Sequence, residues 1–192
     1  MRRDAVRNHE RILDAARDVF GESGADACIE EIAARAGVGV GTVYRRFASK
    51  DALIDELLGL VLGELTTAAS RALARSDGHG LEDLLRAFGR SFADHARYAN
   101  LLLTRQPDPA AERLIRGAIV DLTARARDEG TIAPSIATDD VIALLSAMRG
   151  LVQAGEGASP PDWQRFLDLH LAGLRIADRV PAEVTSAEVH RG

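Results

Sequence analysis

The sequence predicts an all-α protein in which short N-terminal helices precede longer C-terminal ones. Apolar residues recur at the helical period of 3.6 in one segment after another, and no stretch shows the strict alternation of a β-strand. Glycines and prolines separate these segments, as is typical of helix ends. The 192 residues are 46% hydrophobic and 28% charged, which suits one or two globular domains and argues against a disordered chain.

The N-terminal part contains three predicted helices. The first has its apolar stripe over residues 12–20, and the second, over 29–36, stops at Gly37. A third, over 42–47, is short, with Val43 and Phe47 one turn apart on its inner side.

Longer helices follow from Ser49, which is predicted to cap the next helix because its hydroxyl can accept a free backbone N–H of the first turn. That helix is expected to run to about residue 75, and five more helical regions follow: 81–95, a shorter piece over 98–104, 110–129, 141–152 and 163–174. Ser159 and the prolines after it predict the start of the last helix, and residues 155–158 a flexible link. We therefore predict a domain over 1–48, a second over 49–179 that shares the helix from Ser49 as a connector, and a disordered tail over 180–192.

Several classes of protein and site are disfavoured. No apolar run approaches the roughly 18 residues of a membrane span, and the charged start lacks an apolar signal segment, so we expect a cytoplasmic protein without membrane contact. Cys28 is the only cysteine, which excludes an intramolecular disulfide, and we interpret it as a small packed residue. The histidines have no metal-ligand spacing, so neither a metal nor another cofactor is predicted.

Residues 29–47 fit a helix-turn-helix. Ala33 places a small side chain where two helices must cross, Gly37 supplies a left-handed residue at the end of the first helix, and Val43 is placed to pack the second helix against the first. An ordinary αα-hairpin tolerates a similar alanine and glycine, and it remains the alternative at this point.

The position of the charges favours DNA binding. The net charge of −5 argues against a nucleic-acid partner when it is taken over the whole chain. Residues 1–50, however, hold 9 basic and 8 acidic residues, whereas 51–192 hold 15 and 21. From Ala33 to Lys50 there are four basic residues and no acidic one, so the negative charge lies in the C-terminal part.

The outward face of the third helix suits the major groove. With Val43 inside, the helical period directs Gly41, Thr42 and Arg45 outward and puts Tyr44 and Arg46 on the flanks. Arg45 could offer two donors to a guanine edge, while Tyr44, Arg46 and Lys50 suit phosphates. The alternative is that these are solvated surface residues.

The order and spacing of residues from the first helix to the fourth agree with a known pattern. It comprises Ile12 to Phe20, Ile32-Ala33, Ala36-Gly37-Val38, Gly41-Thr42-Val43-Tyr44 with Arg45-Arg46-Phe47, and Lys50-x-x-Leu53. In these roughly 55 residues the chain resembles the DNA-binding domain of TetR-type transcriptional regulators. The resemblance implies a bacterial cytoplasmic homodimer that usually represses and that leaves its operator DNA when a small-molecule effector binds the C-terminal domain. By position it also implies that Tyr44 and Lys50 contact phosphates and that Gly41, Thr42 and Arg45 face the bases.

Three positions differ from the family pattern. Gly39 stands where serine is common, which removes a hydroxyl that could cap the recognition helix and contact phosphate. Cys28 stands where threonine is common, and its sulfur is a weak donor. Val40 occupies a position that is often polar, where it could contact a thymine methyl group or have no role.

In the C-terminal part, apolar side chains predict a ligand pocket, with an ordinary packed core as the alternative. The predicted lining is Phe88, Phe92, His95, Leu102, Leu103 and Met148. His95 and His170 each lie on an apolar stripe, where a histidine is either a ligand contact or a hydrogen-bonded core residue.

The last two helices are predicted to form the dimer interface, because both have broad apolar faces and small residues that allow close approach, such as Ala147, Gly150, Ala154 and Gly173. The predicted interface residues are Leu144, Met148, Leu151, Trp163, Phe166, His170 and Leu174. Packing of these helices within one monomer is the alternative.

The leading hypothesis is a ligand-responsive, DNA-binding transcriptional regulator, most simply a homodimeric repressor. A small helical enzyme is a second hypothesis, although the sequence contains no nucleophile elbow, phosphate loop or zinc helix motif and offers no catalytic residue. A third is a protein-interaction module whose helix-turn-helix has lost DNA binding, which Gly39 in place of a serine allows.

Overall fold

The structure, a computed structural model, describes residues 2–154 and 162–176, with side chains over 6–154 and 162–175. This part of the chain is helical and contains no β-strand, which confirms the all-α prediction. The α-helices are α1 (Arg2–Ser23), α2 (Ile29–Ala36), α3 (Val40–Arg46), α4 (Lys50–Leu73), α5 (Gly80–His95), α6 (Ala99–Leu102), α7 (Pro109–Asp128), α8 (Thr138–Gln153) and α9 (Trp163–Ile176). Short 3₁₀ turns lie at Gly24–Asp26 and Ala96–Tyr98. The predicted link, Ser159 and the predicted tail lie outside the described residues.

Side chains at the helix starts explain where several helices begin. Ser49 Oγ accepts the backbone N–H of Ala52 at 3.1 Å, so the predicted cap of α4 is confirmed. Asp108 accepts the N–H of Ala110 at 3.0 Å, directly before Pro109 in the first turn of α7. Asp162 accepts the N–H of Arg165 at 2.9 Å, and α9 begins directly after Asp162, at Trp163.

Buried side chains form two hydrophobic cores. The first, here the N-terminal core, lies between α1, α2, α3 and the start of α4, which contributes Leu53, Ile54 and Leu57. Tyr98 and Leu102, from the segment after α5, also belong to it. The first core therefore continues past residue 48, because one long helix supplies side chains to both parts of the molecule.

The second core, here the body core, lies between the second half of α4 and helices α5, α7, α8 and α9. Its largest fully buried side chains are Leu84, Leu85, Val141, Met148 and Leu167. Helix α4 packs against α5 and α7, so it connects the two cores as a continuous rod of 24 residues, about 36 Å long at 1.5 Å per residue. Within the described residues, no helix is long and apolar enough to cross a membrane.

Candidate nucleic-acid interface and interior cavity

The turn between α2 and α3 has the geometry that the sequence predicts. Gly37 has φ 64° and ψ 39°, a left-handed conformation that favours glycine, and its N–H donates to Ala34 O at 3.1 Å. The N–H of Val38 donates to Ala33 O at 3.0 Å, which completes the paired hydrogen bonds of a Schellman motif. Ala33 is buried where the helices cross, so the helix-turn-helix prediction is confirmed.

Helix α3 presents an exposed face opposite its buried anchors. Val43 and Phe47 are buried in the N-terminal core. Gly41, Tyr44, Arg45 and Arg46 are exposed, with Tyr44 at 49% of its full accessibility. Thr42 is half-buried, so it lies less far outward than the helical period suggests. Val40 is also half-buried and packs against the N-terminal core, which gives it a structural role in the monomer.

Arg35 is bound to a neighbouring helix. Its guanidinium donates to both carboxylate oxygens of Glu22, at 2.8 and 2.6 Å, and so ties α2 to α1. These hydrogen bonds hold the pKa of Glu22 below its ordinary value. The positive charge of Arg35 is thus balanced inside the monomer.

Arg46 is held by His9, a residue that the sequence reasoning missed. Arg46 Nε donates to His9 Nδ1 at 3.0 Å, and the imidazole stacks on Phe47 with ring centroids 5.5 Å apart. On its other side, His9 Nε2 lies 3.5 Å from Glu56 Oε1. A Nδ1 atom that accepts from Arg46 must carry a lone pair, so this geometry fits a neutral imidazole with its proton on Nε2. His9 connects α1, α3 and α4 and restricts where the guanidinium of Arg46 can lie.

Lys50 lies against the loop between α1 and α2. Its ammonium donates to Ala25 O at 2.6 Å and to Ala27 O at 3.1 Å. Two of its three N–H donors are therefore occupied within the monomer, and one remains for a phosphate. The Lys50 side chain is therefore folded against the loop and does not extend freely into solvent.

Arg45 differs from the other three basic residues of the segment. Among the side chains that the structure describes, it has no hydrogen-bond or ion-pair partner, and it is exposed. A guanidinium held by no neighbour is available to form two parallel hydrogen bonds to a base edge or a phosphate.

The two helix starts that depart from the family pattern have no side-chain caps. Gly39 precedes α3 in extended conformation, and Cys28 precedes α2 in the same way. Neither makes a side-chain hydrogen bond to its helix. Cys28 is exposed, so its interpretation as a small packed residue is wrong: at the cap position the chain turns its side chain outward.

The body contains a cavity of about 330 Å³ between α4, α5, α7 and α8. Phe88 and Phe92 line it, as the sequence analysis expects, while its other apolar lining comes from residues such as Leu65, Ile119 and Leu145. Four predicted lining residues do not reach it: His95, Leu102, Leu103 and Met148.

Each of these four residues has another environment. Leu102 is buried in the N-terminal core, and Leu103 is 55% exposed. Met148 is fully buried in the body core, on a different side of α8 from the cavity. His95 Nδ1 lies 2.7 Å from the hydroxyl of Tyr98, and its Nε2 lies 3.6 Å from Glu64. Tyr98 is buried, and this burial raises the pKa of its phenol.

The predicted dimer residues fall into two groups. Leu144 and Met148 are buried in the monomer's own core, which leaves them little or no surface to offer a second chain. Leu151 and Trp163 are half-buried, as are Phe166 and Leu174, whereas His170 is exposed. The indole of Trp163 packs on Gly89 of α5, where a Cβ atom would overlap the ring.

A different set of residues forms the open face of α8 and α9. Ala143, Ala147 and Gly150 are exposed on α8, and Gly173 is exposed on α9. Leu169, which the sequence analysis did not select, is 61% exposed on α9. Apart from the neighbouring backbone of its own helix, no described residue lies within 4 Å of a Cβ placed at Gly150 or Gly173, so packing inside the monomer does not require glycine there.

Comparisons with known proteins agree with this architecture. The family model "Bacterial regulatory proteins, tetR family" matches residues 12–57. A TetR transcriptional regulator from Streptomyces coelicolor is 31% identical, with a TM-score of 0.61 over 86% of this chain and 97% of that one. A TetR transcription regulatory protein from Mycobacterium vanbaalenii is 30% identical, with a TM-score of 0.62 over 91% of this chain and 98% of the other.

Relatives matched by sequence are also transcriptional regulators. The HTH-type transcriptional regulator UidR of Escherichia coli (strain K12) is 26% identical over 151 residues, which cover 72% of this chain and 76% of UidR. These relatives are transcriptional regulators, which favours the regulator hypothesis over the enzyme hypothesis. The chain belongs to the TetR family and is a DNA-binding transcriptional regulator.

Proposed function

We propose that this regulator is a homodimeric repressor that leaves its operator when a small molecule occupies the body cavity. The supporting observation is that one short segment, residues 96–107, contacts the DNA-binding part at one end and lines the cavity at the other. Residues 1–48 would bind DNA and 49–179 would bind the effector and the second subunit. The protein would act in the bacterial cytoplasm, where operator DNA is found.

In this proposal, α3 lies in the major groove. Arg45 contacts a base edge, because it is the exposed cation of this helix that no described neighbour holds. Tyr44 and Arg46 contact phosphates on either side, with Arg46 oriented by His9. Gly39 and Gly41 leave open space beside the helix, which lets the DNA backbone and base edges approach closely.

The dimer would form through the open face of α8 and α9. Leu169, Phe166 and Leu151 supply apolar area, while Gly150 and Gly173 allow the helices of two subunits to approach closely. Such a pairing fixes the separation of two copies of α3, and the spacing of the operator half-sites follows from it.

Residues 96–107 would transmit the effect of ligand binding from the cavity to the DNA-binding part. Tyr98 and Leu102 are buried in the N-terminal core, and Arg105 donates to Asp55 of α4 at 2.6 and 2.9 Å. Two residues later, Pro107 lines the cavity. A ligand that displaces Pro107 would thus act on the start of α4 and on the core that holds α3. The effector would favour the spacing of the recognition helices that does not match the operator.

The DNA-binding step is tested with fluorescently labelled DNA from upstream of the protein's own gene, or with a sequence selected from a random pool. Wild-type protein should prefer this DNA to random DNA, and Arg45→Ala should lose most of that preference. Arg113→Ala, which removes an exposed arginine from α7, is the matched control. Equal binding to operator and random DNA by wild-type protein would contradict the proposal.

The dimer is tested by analytical ultracentrifugation of Leu169→Glu. A carboxylate in the middle of the open face should convert the dimer to a monomer, because burial of an unpaired charge is costly. Leu114→Glu changes an exposed leucine of α7, at 43% accessibility, and should leave the dimer intact. If both variants remain dimeric, the interface lies elsewhere.

A further inference from the structure

We propose that the body cavity binds an amphipathic carboxylate, with its apolar chain inside and its carboxylate on Arg149 and Arg116 at the rim. This inference rests on the proposed effector function of the same cavity and names the chemistry of the effector. Apolar side chains line the inside of the cavity, and charged side chains lie at its mouth.

The inner wall is apolar. Phe88, Ile119 and Leu145 are between 6% and 8% exposed, and Leu65 and Phe92 extend the same surface. The charged side chains of the lining all belong to exposed residues, so they lie at the rim. A bound molecule would therefore bury an apolar part and keep a polar group at the mouth.

The rim has a net positive charge. Arg149 has no hydrogen-bond or ion-pair partner among the described residues, although it lies on the cavity side of α8, one turn after Leu145. Arg116 has only a long contact, at 3.4 Å, with Glu112 one turn earlier on α7. Two guanidinium groups and one carboxylate thus surround the opening, and the donors of Arg149 are free.

This arrangement favours an anion over other head groups. A guanidinium pairs with a carboxylate through two parallel hydrogen bonds, which a hydroxyl cannot accept equally well. The two arginines at the rim would repel a cationic head group, and only the exposed Glu112 would attract it.

The cavity volume indicates the approximate size of the apolar chain. At about 30 Å³ for the space of one water molecule, 330 Å³ holds about eleven groups of that size. A straight-chain acid of eight to ten carbons has a similar number of heavy atoms, so decanoate is a suitable probe.

The experiment measures binding of three probes to the full-length protein by isothermal titration calorimetry: decanoate and decyltrimethylammonium, both below their micellar concentrations, and decan-1-ol, below its solubility limit. Decanoate should bind about tenfold more tightly than decanol, and the cationic probe should bind most weakly. Arg149→Gln should lower decanoate affinity about tenfold and leave decanol affinity unchanged. Arg113→Gln makes the same substitution on the outer face of α7 and should have no effect.

A second variant tests whether the probe lies in the cavity. Ile142→Trp fills part of the cavity from α8 and should abolish decanoate binding while the protein still melts cooperatively. Equal affinities for decanoate and decanol, or decanoate binding unaffected by Arg149→Gln or Ile142→Trp, would overturn the inference.

Operator release is measured separately by fluorescence anisotropy. If decanol but not decanoate occupies the cavity and releases DNA, the proposed effector function stands and the carboxylate inference fails. If decanoate binds with the expected dependence on Arg149 but DNA remains bound, the chemistry of the cavity is correct and the proposed release mechanism fails.

Discussion

Lys50 provides a sharp test of the DNA-binding part, because the resemblance to the family and the structure suggest different main contacts for it. The family pattern implies that its ammonium contacts a phosphate. In the structure, the ammonium donates to Ala25 O at 2.6 Å and Ala27 O at 3.1 Å and so holds the loop before α2 against the start of α4. Lys50→Met keeps an unbranched apolar stem of nearly the same length and removes the charged donor.

The expected loss of stability follows from these two bonds. A hydrogen bond from a charged donor contributes roughly 1.5–3 kcal/mol, but the bond to Ala25 is exposed and is weakened by water. The bond to Ala27 is half-buried, so we count about one full bond, or roughly 1.5–3 kcal/mol. For a chain of this size, 1 kcal/mol corresponds to about 2–4 °C in Tm, which gives a decrease of about 3–12 °C.

The assay is thermal unfolding of wild-type, Lys50→Met and Arg45→Met proteins at one fixed protomer concentration, since dimers melt at concentration-dependent temperatures. Arg45 has no partner among the described side chains, so Arg45→Met should change Tm little while it weakens DNA binding. An unchanged Tm for Lys50→Met, together with a salt dependence of DNA binding reduced by about 0.9 per lost contact, would refute the reasoning. Lys50 would then contact phosphate and not the loop.

Two further predictions concern ion pairs. Arg105→Gln removes the solvent-exposed ion pair with Asp55, so hydrogen exchange of the amides that follow α6 should accelerate by a small factor, on the order of two- to fivefold. Unchanged exchange would show that Tyr98 and Leu102 alone hold the segment. The two hydrogen bonds from Arg75 lower the pKa of Asp77 to about 2. NMR titration of the Asp77 carboxyl should give this pKa in the wild-type protein. In Arg75→Gln the same pKa should rise toward 3.8. Because the pKa of Asp77 is lowered in the folded state, the Arg75–Asp77 pair stabilises the folded protein above about pH 4. This contribution to stability is lost as the pH falls toward 2.

Features set by neighbouring residues could be predicted from the sequence. The left-handed turn at Gly37, the cap at Ser49 and the inward position of Val43 depend on side chains within one or two turns of each other. The all-α class follows from the same local periodicity, since each helix shows its own apolar stripe.

Contacts between distant residues could not be predicted in this way. His9 holds Arg46 across 37 positions, and Lys50 reaches Ala27 across 23. The helical period shows that Met148 and Leu102 face inward, but it does not show which of two cores each enters. Both were expected at a cavity, and both fill a core instead.

The charges in the sequence do not show which basic residues between Ala33 and Lys50 are available to DNA. The stretch from Ala33 to Lys50 contains four basic residues and no acidic one, which suggests four cations available to DNA. In the structure Glu22 binds Arg35, His9 holds Arg46 and two carbonyls hold Lys50, so only Arg45 lacks a partner among the described side chains. The partners of the other three belong to α1 and to the loop after it. It follows that α1 and the loop after it do more than complete the core: they hold three cations of the helix-turn-helix within the monomer and leave Arg45 without a described partner.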